Sequence, residues 1–98
     1  MTKETIEIKA FSKKDFMDVD DLMESVKGIL IQSGVSRFKI RKLIKNILKY
    51  IKENPETQTE HWIKEFEVPR TNIIISLEVF PTQELWSAKR TDSYIDVV

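Results

Sequence analysis

Cysteine is missing from this 98-residue chain, and glycine, proline and histidine occur only two, three and one times. Without cysteine there is neither a disulfide framework nor a thiolate metal site, which suits a reducing compartment. A single histidine excludes any site that needs two within one protomer. His61, beside Trp62 at a strand start, reads as structural. Two glycines leave almost no material for a phosphate-cradling loop, and no nucleophile elbow or metal-ligand pair appears, which argues against metabolic enzyme classes. The longest apolar run, Gly28–Ile31, falls far short of the roughly 20 residues that a membrane span needs. The opening MTKETIEIKAF is charged and lacks the apolar core of a signal segment. These absences lead to the expectation of a soluble, cytoplasmic protein with no cofactor, no metal and no membrane contact.

What is present suits one folded domain spanning residues 1–98, since 41% of residues are hydrophobic and 33% charged. TIEIKAF (5–11) alternates apolar and polar residues and predicts a strand. Ser12 opens S-K-K-D, a capping-box pattern with Asp15, ahead of a helix expected over about residues 13–32. Its apolar arc holds Phe16, Val19, Leu22, Met23, Val26, Ile29 and Leu30. Met17 and Met23 lie beside or within that arc. Asp18, Asp20, Asp21, Glu24 and Lys27 form the opposite face. No glycine-containing calcium loop accompanies those carboxylates, which read as a solvated acidic face.

Ser33-Gly34 breaks the first helix, Ser36 caps a second, and Asn54-Pro55 stops it. Ile40, Leu43, Ile44, Ile47, Leu48 and Ile51 form its apolar stripe, with Tyr50 at the border. HWIKEFEV (61–68) and NIIISLEVF (72–80) predict strands joined at Pro69-Arg70-Thr71, with Ile73, Ile75, Leu77 and Val79 facing the core. LWSAKR (85–90) and SYIDVV (93–98) are further strand candidates after a turn at 81–84. The expected fold is α+β, one two-layer domain in the order β-α-α-β-β-β, with two helices on one face of a mainly antiparallel sheet.

The most informative segment is VSRFKIRKLIKNILKYIK (35–52), which carries seven Lys/Arg and no Asp or Glu in a chain of zero net charge. The rest of the chain therefore sums to −7. On a helical wheel Arg41, Lys42, Lys45, Lys49 and Lys52 gather within about 100°, and Phe38 falls among them, away from the apolar stripe. Clustered cations neutralise phosphates or an acidic protein surface, and an exposed aromatic among them suits base stacking or an interface anchor. The leading expectation is a small, non-catalytic regulatory or inhibitory protein of phage type. It would dock its basic amphipathic helix (36–52) on a polyanion, either nucleic acid or the acidic surface of a nucleic-acid-handling protein. A solvated helix face is the competing account of the same lysines, and a structural assembly subunit is a further reading.

Two resemblances accompany this reading. GVSRFKIRKLI (34–44) resembles the turn and second helix of helix-turn-helix DNA-binding proteins. Gly34 matches the turn glycine, Val35 the buried position after it, Ser36 the cap of the recognition helix, and Ile40 and Leu43 its core contacts. That resemblance implies a DNA-binding regulator. The order of elements is similar to that of ribosome-dependent endoribonuclease toxins of toxin–antitoxin pairs. It implies basic residues and a late tyrosine around a scissile RNA phosphate, with Arg70, Lys89, Arg90 and Tyr94 as counterparts. For self-association, Ile73–Ile75 and the terminal YIDVV read as apolar strand edges, leaving a monomer and a two-fold homodimer both open.

Overall fold

Alternation along Glu4–Phe11 builds strand β1, with Ile8 and Ala10 buried, Lys9 half-buried between them and Glu7 exposed before Ile8. The computed structural model describes residues 3–12, 17–82 and 85. After β1 come helices α1 (Val19–Gln32) and α2 (Arg37–Glu53), a single 3-10 turn (Pro55–Gln58), and strands β2 (Trp62–Glu67) and β3 (Ile73–Phe80). The described elements thus follow the expected order through its fifth place, and the fold is α+β. At Leu85, the start of one strand candidate, the backbone is helical and its N–H donates to the Thr82 hydroxyl (3.3 Å). The rest of that candidate and SYIDVV lie outside the described residues.

The sheet order is β1-β3-β2. β2 and β3 form an antiparallel hairpin with Phe66 opposite Ile75. β1 instead runs parallel to β3, with Ile6 opposite Ile75 and Ile8 opposite Leu77. The sheet of described strands is therefore mixed: the chain between β1 and β3 runs through α1, α2 and the antiparallel β2, and β3 comes back beside β1 in the same direction. β3 takes the centre, which suits its composition: Ile75, Leu77 and Val79 are fully buried and Glu78 is its one charged residue. Ile73–Ile75 therefore offers no free edge, contrary to the expectation that made it a dimerisation surface.

Both helices cover one face of this sheet. Leu22, Met23, Val26 and Leu30 of α1 and Ile40, Leu43, Ile44, Ile47 and Ile51 of α2 share one cluster with Ile8, Ala10, Phe66, Ile75, Leu77 and Val79. The strands' alternate residues, Glu7, Glu65, Glu67 and Glu78, point to the other face with Lys3 and Lys9, so that face is acidic in balance.

Two helix boundaries carry corrections. α1 starts at Val19, not near residue 13. Asp18 caps it, its Oδ1 accepting from the backbone N–H groups of Asp20 (3.0 Å) and Asp21 (3.2 Å). Ser12 is buried and donates its N–H to the Phe80 carbonyl (3.0 Å), extending the β1–β3 pairing. A capping-box match cannot rank two candidate caps. Asp18 wins because Asp20 and Asp21 also place negative charge at the positive end of the helix dipole. Phe16 lies outside the described residues. In α2, Ser36 is the cap as expected, accepting from Lys39 N–H (3.4 Å). Leu48, however, is 39% exposed and does not belong to the core. It sits roughly 40° beyond Ile44 on the wheel, between Ile44 and the basic arc.

The far end of α2 is fastened by aromatics. Tyr50 packs at 5.3 Å from Trp62 and 5.9 Å from Phe66 (ring centroids), and Trp62 Nε1 donates to the Thr57 carbonyl in the 3-10 turn (2.9 Å). His61 stacks on Phe80 (4.4 Å) and places Nε2 2.7 Å from Glu78 Oε2, which gives this residue a packing role on the strand pair.

Candidate functional site: the basic face of α2 and the α1–α2 groove

A buried stripe on one side of α2 forces the opposite side outward, and that side carries the cations. Phe38, Arg41, Lys42, Lys45, Lys49 and Lys52 are all exposed. Phe38 is 61% exposed, a large ring held away from the core, with Lys42 Nζ 4.6 Å from its centroid. That contact is a cation–π pair at the surface, and it leaves one ring face for a partner.

Electrostatic compensation is sparse. Among the described residues, Lys49 is the only cation of this arc in an ion pair, with Glu53 one turn on, at 4.0 Å. An exposed i,i+4 pair of this kind is worth only about 0.3–0.5 kcal/mol. No α1 carboxylate pairs with α2 among the described residues. Asp18 is occupied in capping, and Glu24 pairs with Lys27 of its own helix at 3.5 Å. The acidic back of α1 therefore leaves the α2 cations unneutralised.

Packing divides the arc in two. Arg41 and Lys45 turn toward α1 and, with Arg37 and Lys27, ring a groove of about 330 Å³ whose apolar lining is Ile31, Ile40 and Ile44. Phe38, Lys42, Lys49 and Lys52 stand outside it. Sequence reasoning gave the basic arc but not the groove. Lys27 and Ile31 lie one turn apart on α1, outside its apolar arc. The available signal was Ile31 itself, a large aliphatic residue isolated on a polar face.

The helix-turn-helix resemblance maps onto definite positions. Gly34 has φ +85°, in the left-handed region that glycine enters without Cβ strain. Val35, Ile40 and Leu43 are buried, and Ser36 caps α2. Of the toxin-like set, Arg70 lies exposed in the β2–β3 turn with φ +60°, whereas Lys89, Arg90 and Tyr94 lie outside the described residues. No group of three His, Asp or Glu side chains able to hold a metal occurs among the described residues, and no helix there is long and apolar enough to cross a membrane. Compared with protein-family models, curated proteins and solved structures, the chain finds no match.

Proposed function

We propose that this chain is a small non-catalytic regulatory or inhibitory protein that docks the outward face of α2 on a polyanionic partner. The partner is nucleic acid or the acidic surface of a protein that handles it. The observation that carries the proposal is the arc of exposed, largely uncompensated cations around Phe38. A helix face that served only for solubility would gain from interspersed acids, and this one has none before Glu53.

Binding to labelled single-stranded and duplex oligonucleotides and to polyglutamate, measured across salt concentration, tests the proposal. If all five cations of the arc meet duplex phosphates, log K against log salt falls with a slope of roughly −4.5. Lys45→Glu with Lys49→Glu abolishes binding while leaving the fold intact, since both residues are exposed and neither belongs to the core. Phe38→Ala then weakens single-strand or protein binding by about 1–3 kcal/mol and leaves phosphate-only duplex binding almost unchanged. Salt-insensitive binding that survives the double charge reversal would show the arc to be merely solvated. One second reading has an observation in its favour. The left-handed Gly34, buried Val35 and capped α2 suit a recognition helix, and selection of duplexes with a shared base sequence would favour it over general polyanion docking.

A further inference from the structure

The groove between α1 and α2 differs in kind from the rest of the basic face. Its floor is aliphatic: Ile40 and Ile44 lie one turn apart on α2, and Ile31 on α1 is 50% exposed although nothing polar explains its position. Its rim is cationic on both sides, with Lys27 from α1 and Arg37, Arg41 and Lys45 from α2. Among the described residues no carboxylate lines it, and only Lys27 has an ion-pair partner. From Arg37 to Lys45 the groove follows about 12 Å of helix, or a little over two turns.

We infer that this groove is a docking site for an acidic amphipathic peptide segment of a partner protein. The segment would place a large apolar side chain on Ile31, Ile40 and Ile44 and carboxylates against Arg37, Arg41 and Lys45. This rests on the reading of the α2 face as a polyanion-docking surface and specifies the partner for one side of it. Charge complementarity selects the sign of the segment, and the floor selects its chemistry. A phosphate backbone brings no apolar group to cover Ile31. A base seeks an aromatic face, and the exposed aromatic ring of α2, Phe38, stands outside the groove against Lys42. A volume near 330 Å³ is at the lower end of the range typical of ligand pockets, room for one or two anchoring side chains and not for a folded element. Apolar anchors one turn apart flanked by acids are what an amphipathic helix laid into a groove presents.

Panning a random dodecapeptide phage library on the full chain tests the inference. The expected consensus has a large aliphatic or aromatic residue flanked by at least two Asp or Glu. The synthesised consensus peptide should lose roughly tenfold in affinity on Ile31→Ser, since burying much of an isoleucine side chain contributes over 1 kcal/mol. Arg41→Gln should give a comparable loss, and Lys3→Gln, on the opposite side of the domain, no loss. Ile31 is half-exposed, so Ile31→Ser should keep the native circular dichroism spectrum, and Arg41→Gln serves independently. Failure to enrich peptides, a consensus lacking either acids or an apolar anchor, or equal affinity for Ile31→Ser overturns the inference. Oligonucleotide binding measured on the same variants separates the two proposals. Salt-dependent binding that ignores Ile31→Ser, with no peptide enriched, removes the groove and keeps the arc. Absence of both removes both.

Discussion

Replacing Ile47 and Leu48 by alanine, one at a time, sets the packing of α2 against its periodicity. The two neighbours have similar volume and hydrophobicity, and a wheel drawn from sequence puts both in the apolar stripe. The structure separates them: Ile47 is fully buried among core residues, and Leu48 is 39% exposed. Ile47→Ala deletes three buried carbons, about 2.4 kcal/mol at ~0.8 kcal/mol per methylene. The cavity left beneath the middle of α2 raises this to about 3–4 kcal/mol, within the range for such core truncations. Alanine's better helix propensity returns only about 0.4 kcal/mol. At Leu48, which is already a good helix former, the propensity gain is smaller, but the loss of burial is small too, so Leu48→Ala should cost less than about 1 kcal/mol. Urea denaturation followed by helix dichroism and by tryptophan fluorescence gives both values, provided the m-value is unchanged. Equal losses at the two positions would refute the burial assignment. A loss below about 0.5 kcal/mol at Ile47 would mean that the stripe does not face a core.

Two further substitutions probe local structure. Asp18→Ala removes the α1 cap and should cost about 1 kcal/mol in the same assay, whereas Asp18→Asn should be nearly neutral and Ser12→Ala should leave the α1 cap untouched. Arg70→Gly relieves a left-handed residue in the turn after Pro69, where Thr71 N–H closes back on the Val68 carbonyl (3.2 Å). The gain from relief, about 1–2 kcal/mol, exceeds glycine's entropic cost, so a rise of up to about 1 kcal/mol is expected.

The parts of the fold governed by short-range periodicity were readable in the sequence. β1, β2 and β3 match the alternating segments to within a residue at each end, and Ser36 and Asn54 bound α2 where capping and proline chemistry put them. Features that depend on competition or on tertiary geometry were not. Ser12 and Asp18 both satisfy a local capping rule, and the pairing of Ser12 with Phe80 together with the acidic first turn after Asp18 decides between them. The parallel pairing of β1 with β3 depends on which edge of the β2–β3 hairpin β1 joins, which no local pattern encodes. For the candidate site, charge and exposure of the α2 cations follow from the wheel. The groove does not, because Lys27 and Ile31 join it only through the packing of α1 against α2.

The separation of charge between the two layers has a consequence for handling the protein. The described cations of α2 point away from the sheet, and the glutamates of the opposite sheet face point the other way, so the described charges of these two surfaces form a dipole across the domain. With a sequence pI near 6.6, net repulsion between copies vanishes close to neutral pH, while the attraction of one copy's α2 face for another's acidic sheet face persists. That attraction has the range of the Debye length, about 30 Å at 0.01 M salt and about 8 Å at 0.15 M. Solubility near neutral pH should therefore increase as salt is first added, the salting-in of a dipolar solute, and dilute buffers should drive head-to-tail clustering that moderate salt dissolves.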